Sequence, residues 1–276
     1  MVAHRRRGWT AGWVLNVARL HWTDCDRETL RQHLPSALVV LPVGAVEQHG
    51  PHLPTGTDAF IVEAIVEAAV RQAAPDAPRD LVLAPTLRFG ASDHHFPFGA
   101  TLSLTVETLT QVLIDLARSV AAAGGRRLLI VNGHGGNRGA CHAAGAAAAS
   151  RHGLSVGHLD YWQLLTGPDD DDRMSDDPQP SPPIPGHAGA FETSMIAHLR
   201  PAPVSAAPHR PSPPTVADVP DVMMHDNEIW RHLDGYTDDP FGASAEAGAR
   251  WFARCVARLS ERIIAVAAAE VTAVKN

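Results

Sequence analysis

The chain alternates short continuous apolar runs with longer stretches in which apolar residues recur at helical spacing. The apolar runs are Leu38–Val43, Leu81–Pro85 and Arg127–Val131, and the more polar Leu154–Tyr161 is predicted as a fourth strand. The helical stretches are Asp58–Ala73, Thr105–Ala123, Arg138–His152 and a last amphipathic one, Ala245–Glu270. Uninterrupted apolar strands separated by helices are typical of a parallel sheet that is buried on both faces. We therefore predict an α/β fold, a three-layer αβα sandwich around a mostly parallel central sheet.

Length and local composition set the expected domain organisation. The 276 residues suit one large α/β domain, and we predict a single domain over residues 1–276. Residues 1–34 are predicted to be an N-terminal extension rather than a signal peptide, because Asn16, Arg19 and His21 interrupt its apolar run. Residues 168–185 are rich in Asp and Pro and are predicted to form a solvated loop that borders the site.

Charge and cysteine usage exclude several classes of partner. The net charge of −7 provides no basic surface for nucleic acid or for an anionic membrane. No segment approaches the ~20 apolar residues that a membrane-spanning helix needs. The three cysteines are far apart and predict no disulfide framework. These features favour a cytoplasmic protein that binds neither nucleic acid nor membranes.

Polar clusters of one chemical kind follow two of the predicted strands. Glu47 and His49 come after the first strand, Asp58 follows eleven residues after Glu47, and His134 lies between glycines after the third strand. Ligands of open α/β sheets bind beyond the carboxyl ends of the strands, so these side chains are expected to converge. Carboxylates mixed with imidazoles suit Zn, Mn or Fe(II). The alternatives are that Asp58 caps a helix, and that the glycine-rich turn around His134 cradles a phosphate.

Three further groups have both a functional and a structural interpretation. His187 is a plausible proton donor near the metal and Glu192 a further ligand, although both could belong to the start of an ordinary helix. Trp162 could form an aromatic wall of the pocket or end a buried strand. For Ser92–His95, spacing alone favours a surface loop with incidental histidines. Asn137 is expected to cap the helix that follows it.

Taken in order, these motifs resemble the creatininase (creatinine amidohydrolase) family. The matching segments are Glu-Gln-His-Gly-Pro-His-Leu-Pro from Glu47, Ser-Asp-His-His from Ser92, Asn-Gly-His-Gly-Gly-Asn from Asn132, and His-Ala-Gly from His187 with Glu192-Thr-Ser. The resemblance covers about residues 35–265. It implies a three-layer αβα fold, commonly assembled as a homo-hexamer, with one or two divalent metals in each subunit.

The resemblance also implies roles for individual residues. Glu47, His49, Asp58 and His134 would be metal ligands, with Asp58 bridging when two ions are bound. Glu192 would provide another carboxylate, as a ligand or as a catalytic base, and His187 would assist proton transfer to the leaving nitrogen. The residues expected to contact substrate are Ser92, His95 and Trp162. The metal is expected to be Zn or Mn, with Fe as a further candidate.

One departure from the family pattern bears on the substrate. Creatininases have an aromatic residue and a glutamate after the histidine that corresponds to His134, where this chain has Gly135 and Gly136. Relatives that share the Gly-Gly form include a deformylase and a peptidase that trims the mycofactocin precursor peptide. We predict metal-dependent hydrolysis of a non-peptide or cyclic amide C–N bond in a small molecule by metal-activated water. The alternatives are such a peptidase or deformylase, a phosphoesterase, which the lack of a nearby lysine disfavours, and a non-catalytic metal-binding oligomer.

Overall fold

The computed structural model of the chain describes residues 19–165, 184–200, 230–231 and 233–269. Five strands form one parallel sheet in the order β1-β3-β2-β4-β5. The strands are β1 (Arg19–His21), β2 (Leu38–Val43), β3 (Leu81–Leu83), β4 (Arg127–Asn132) and β5 (Ser155–Asp160). The predicted parallel sheet is therefore confirmed, and each of the four predicted strands is present.

Helices cover both faces of the sheet, which confirms the αβα sandwich. One face carries α2 (Thr57–Ala73), α5 (Ala190–Leu199) and α6 (Ala245–Ala268), and the other carries α1 (Arg27–His33), α3 (Val106–Ala122) and α4 (Arg138–His152). Side chains of β2 alternate between the two apolar cores, since Leu38 and Val40 pack in the first while Val39 and Leu41 pack in the second. A strand that is buried on both faces must be apolar throughout, which is why β2 reads as a continuous run.

Part of the predicted N-terminal extension belongs to the sandwich. β1 pairs in parallel with β3, with Arg19 opposite Leu81, and α1 begins at Asp26, whose side chain accepts a hydrogen bond from the Thr29 amide at 2.8 Å. Neither element is predicted from the sequence. The predicted loop at 168–185 lies outside the described residues except for its last two positions. Within the described ranges, no helix has the length and apolar character to cross a bilayer.

The topology opens a crevice between β2 and β4. These neighbouring strands end level with each other, with Val43 opposite Asn132, and their following helices pack on opposite faces of the sheet. Such a switch point is where α/β sheets bind ligands. Asn137 closes the base of the crevice: its Nδ2 donates to Gly44 O at 3.0 Å, and its Oδ1 accepts from the Ala91 amide at 2.9 Å. The expectation that its side chain caps α4 is wrong, because these two bonds occupy it.

Candidate metal centre and active site

The four side chains predicted as metal ligands lie together in the crevice. Glu47, His49 and Asp58 present ligand atoms within 4.8 Å of one another. The His134 ring lies between two carboxylates, with Nε2 3.2 Å from Glu47 Oε2 and Nδ1 3.1 Å from Asp58 Oδ2. All four side chains are buried. The segments after β2 and β4 and the first turn of α2 therefore converge as the motif spacing predicts.

Asp58 lies between two imidazoles. Its Oδ1 is 3.2 Å from His49 Nε2, while its Oδ2 faces His134 Nδ1. The same nitrogen, His49 Nε2, also lies 3.7 Å from Glu192 Oε2. Asp58 would therefore offer one oxygen on the side of His49 and the other on the side of His134 if divalent ions were bound there.

Glu47 supplies the observation that fits a cation most directly. Its side chain is fully buried, and neither carboxylate oxygen has a hydrogen-bond partner in the described part of the chain. Nitrogen atoms of His95 and His134 lie 3.3 and 3.2 Å from the two oxygens, at angles that make no hydrogen bond. A buried carboxylate without partners is costly. The donor set of carboxylates and imidazoles around it suits a divalent metal.

The charges of the site shift the pKa of each member. Burial alone would lower the pKa of His49, but Asp58 and Glu192 outweigh burial and raise that pKa to about 10. Burial opposes the charge on His134 too, and Glu47 and Asp58 raise the pKa of its ring to about 9. The carboxyl of Asp58 is desolvated, yet His49 and His134 hold its pKa well below the usual range. Without metal, this part of the site is thus a set of ion pairs.

Glu192 differs from Asp58 because burial, rather than the neighbouring histidines, determines the direction in which its pKa shifts. Desolvation raises the pKa of Glu192 to about 8, against the opposing effect of His49. Its Oε2 accepts a hydrogen bond from the Ala188 amide at 2.6 Å, which fixes the carboxyl at the start of α5. A cation beside this group would favour the ionised form and lower that pKa.

His187 is held by Gln48 in one tautomer. Its Nε2 lies 3.0 Å from the carbonyl oxygen of Gln48 and therefore donates to it, which leaves Nδ1 unprotonated and 3.5 Å from Glu47 Oε1. The side-chain amide of Gln48 donates to Gly235 O at 2.7 Å and to His95 Nδ1 at 2.8 Å. Burial, together with His49 and His95, lowers the pKa of His187 well below its usual value. The ring is therefore neutral, with a free nitrogen that faces the carboxylates.

The residues predicted to contact substrate have different surroundings. Ser92 and His95 are buried, and Ser92 Oγ lies 3.3 Å from His134 Nε2. The interpretation of Ser92–His95 as a surface loop is wrong for these two residues, because they pack beneath the site rather than in solvent. Trp162 lies in the apolar core with its ring edge-on to Tyr161. The substrate-binding role of all three stays a prediction, and the core position of Trp162 does not favour it.

Two residues that the sequence does not identify individually as site residues, Trp230 and His94, border the site. Trp230 lies against three histidines, with ring centroids 5.0 Å from His94, 4.6 Å from His95 and 5.6 Å from His187. His94 presents a ligand atom within 4.8 Å of those of Glu47 and His134. The only sequence signal for His94 is its position beside His95, and Trp230 has none, since no local pattern reports a contact between such distant segments.

Known proteins match this chain in sequence and in fold. The family described as creatinine amidohydrolase matches residues 18–263. A mycofactocin precursor peptide peptidase of Mycobacterium tuberculosis (strain CDC 1551 / Oshkosh) is 36% identical over 227 residues, which cover 80% of this chain and 82% of the relative. A creatinine amidohydrolase of Pseudomonas putida is 28% identical over 199 residues, 67% of this chain and 72% of the relative. A solved mutant creatininase of Zn–Zn type is 25% identical, with a TM-score of 0.72 over 88% of this chain and 96% of that one. The chain therefore belongs to the creatininase (creatinine amidohydrolase) family and is a hydrolase of C–N bonds.

Proposed function

We propose that this protein is a metal-dependent hydrolase that cleaves an amide bond of a peptide. The metal part of the proposal depends on the buried carboxylate of Glu47, which makes no hydrogen bond within the described ranges and lies among imidazole and carboxylate donors. The peptide part is supported by the higher identity to the mycobacterial peptidase, 36% against 28% for the creatinine amidohydrolase. The Gly135-Gly136 pair after His134 agrees with that choice.

The residues define two neighbouring positions for a divalent ion, Zn or Mn. Glu47, Asp58 Oδ2 and His134 surround the first, and His49, Asp58 Oδ1 and Glu192 surround the second. When bound, a divalent ion lowers the pKa of water and polarises the substrate carbonyl. The Zn–Zn type of the solved relative supports zinc as the first ion to test.

His187 is the residue best placed to carry a proton. Its Nε2–H is fixed on Gln48 O, so the free Nδ1 accepts the proton that the attacking water loses. As the water oxygen bonds to the carbonyl carbon and the C–N bond breaks, that proton passes to the leaving nitrogen, which departs as an amine. Glu192 is the alternative first acceptor of the water proton, since its ligand atom lies within 4.8 Å of those of His49 and His187.

A small-molecule amide is the second candidate substrate. The family description and the Pseudomonas putida relative, a creatinine amidohydrolase, favour it. Under either substrate class, we propose a cytoplasmic homo-oligomer, with the hexamer as the first assembly to test. Neither class calls for nucleic acid or a membrane as a partner.

A comparison of Asp58→Asn with Asp115→Asn tests the proposed function. Asp115 is a surface carboxylate on α3 that pairs with Arg118, and its replacement should change neither metal content nor rate. Loss of a ligand should cost at least the roughly 10–100-fold known for residues that only support ligands. We therefore expect Asp58→Asn to lose bound metal and to slow hydrolysis of a mycofactocin precursor peptide at least about a hundredfold. Full activity of the metal-free wild type would refute the metal mechanism, and turnover of creatinine but not of the peptide would select the small-molecule alternative.

A further inference from the structure

The space beside His134 has no room for a side chain at position 136. A Cβ added to Gly136 would lie 2.2 Å from the carbonyl oxygen of Ala91, which is backbone and cannot move aside freely. The same Cβ would lie 3.1 Å from His94 Cε1. His134 Nε2 would lie 2.5 Å from that Cβ, so the imidazoles of His134 and His94 both border the space beside Gly136.

His94 is oriented toward the candidate ligands. Its ring is parallel to that of His134, with centroids 5.8 Å apart and an angle of 3° between the planes. One nitrogen lies within 4.8 Å of ligand atoms of Glu47 and His134. Trp230 packs on the ring at 5.0 Å, which limits its rotation away from the site.

Among the residues that the structure describes, the nitrogens of His94 have no hydrogen-bond partner that would compete with a cation. Within the described ranges, neither ring nitrogen makes a hydrogen bond, whereas His95 Nδ1 accepts from Gln48 and His187 Nε2 donates to Gln48 O. The facing oxygens of Glu47 are equally without hydrogen bonds in the part of the chain that the structure covers. His94, Glu47 and His134 thus present ligand atoms within 4.8 Å of one another, two imidazoles and a carboxylate that a shared cation would satisfy.

We propose that His94 is a metal ligand of this protein and completes the first cation position together with Glu47 and His134. The inference rests on the proposed function, because it requires that the crevice binds a divalent ion. It adds a second imidazole where Gly136 offers no side chain. Because imidazole ligands suit Zn and Fe while carboxylates suit Mn, this position should select Zn²⁺ over Mn²⁺.

Titration of the metal-free protein with Co²⁺ tests the proposal without an activity assay. His94→Gln keeps a polar side chain of similar size, and His198→Gln, at an exposed position on α5, is the matched control. Since supporting residues alone change metal affinity by about 10–100-fold, loss of a ligand should raise the Co²⁺ dissociation constant at least about tenfold. The visible absorption of bound Co²⁺ should also change in His94→Gln and remain that of wild type in His198→Gln.

The outcomes separate this inference from the proposed function. If wild type takes up no Co²⁺, Zn²⁺ or Mn²⁺, the metal-dependent function fails and this inference fails with it. If wild type and His94→Gln bind Co²⁺ with the same affinity and spectrum, only the role of His94 is overturned. A crystal structure of the Zn²⁺-loaded wild type decides the case if the variant does not fold. A His94 nitrogen at about 2.0–2.1 Å from Zn²⁺ supports the proposal, and a ring that does not touch the ion overturns it.

Discussion

At the scale of single residues, the site holds protons that a cation must displace. With a pKa of about 10 for His49 and about 9 for His134, both rings are protonated at neutral pH in the metal-free protein. An imidazole binds metal only through an unprotonated nitrogen. The ion pairs with Asp58 that stabilise the empty site therefore compete with metal binding.

This competition predicts a steep pH dependence of metal affinity. Each proton that must leave makes binding about tenfold tighter per unit of rising pH, so two rings give about a hundredfold per unit below their pKa values. The dependence should flatten as the pH passes about 9 and then about 10, the pKa values of His134 and His49. Zn²⁺ calorimetry in two buffers of different ionisation enthalpy measures the protons released. An affinity that is constant from about pH 6 to about pH 8 would show that the two rings are not protonated ligands.

Asp238 positions His187 through hydrogen bonds that hold the backbone around His187. It is a positioning residue rather than one that contacts the reacting atoms. Its Oδ2 accepts from the Ala190 amide at 3.2 Å, and its Oδ1 accepts from Thr237 Oγ1 at 2.9 Å. The hydroxyl oxygen of Thr237 in turn accepts from the His187 amide at 2.7 Å. A Cβ at Gly189 would lie 1.5 Å from Asp238 Oδ2, so only glycine allows this close approach.

Removal of the Asp238 carboxylate should destabilise the folded protein and slow catalysis. Asp238→Ala leaves the Ala190 amide and the Thr237 hydroxyl without their acceptor, which should cost about 1–3 kcal/mol of unfolding free energy. Because the His187 backbone then loses its support, kcat should fall more than KM rises. Asp238→Asn should recover most of both losses, since its amide oxygen can accept from Ala190 and its NH₂ can donate to Thr237. Denaturant unfolding and steady-state kinetics measure the effects, and equal behaviour of the two variants would contradict this role.

At the scale of elements, Gly44, the residue that follows β2, packs directly on the first turn of α2. A Cβ at Gly44 would lie 2.6 Å from the Cα of Ala59, so the two backbones are in contact there. This contact sets the position of Asp58, the residue before Ala59, relative to Glu47. Gly44→Ala should push α2 outward and cost about 1–3 kcal/mol, the range for overpacking a core.

Gly139→Ala is the matched control for that substitution. Gly139 lies in α4, is exposed, and has nothing within 4 Å of an added Cβ. This change should be stabilising by about 0.5–1 kcal/mol because alanine is the better helix former. Gly44→Ala should also weaken Zn²⁺ binding, whereas Gly139→Ala should leave it unchanged. Thermal unfolding and Zn²⁺ titration measure both effects. Unchanged metal affinity in Gly44→Ala would mean that this contact does not place Asp58.

The burial of each strand and the distance between contacting segments explain which parts of the fold and the site the sequence predicts. Continuous apolar runs identify β2, β3 and β4, because a strand buried on both faces leaves that pattern, whereas the edge strand β5 is more polar and partly exposed. β1 has three residues, too few to show a period. The convergence of Glu47, Asp58 and His134 follows from their positions after adjacent parallel strands. The burial of His95 and the contact of His94 with Trp230 depend on packing between distant segments, which no local pattern encodes.

At the scale of the whole molecule, the candidate cation site brings together segments that the sheet alone does not hold together. Glu47 follows β2, Asp58 starts α2, His134 follows β4 and Glu192 starts α5, so four segments end on one cluster of charge. Their protonation links the site to global stability. The folded-state pKa values of His49, His134 and Glu192 all lie above their ordinary values, at about 10, 9 and 8. The metal-free folded protein therefore binds more protons than the unfolded chain above neutral pH.

For this reason, removal of the metal should lower the melting temperature by more as the pH rises. Stability from groups with a raised pKa is present below the unfolded value and is lost as the pH rises through the folded value. The melting temperature of the metal-free protein should thus fall between about pH 7 and about pH 9, while that of the Zn²⁺-loaded protein, whose ligands carry no proton, should change less. At a fixed Zn²⁺ concentration of about 100 times its dissociation constant at pH 7, the ion should add about 2.7 kcal/mol at pH 7 and more at higher pH, where its affinity rises. Asp58→Asn removes the carboxylate that holds both rings charged, so its metal-free melting temperature should depend less on pH. If the melting temperatures of the Zn²⁺-loaded and the metal-free wild type changed in parallel with pH, the protons bound by His49, His134 and Glu192 would not contribute to folding stability.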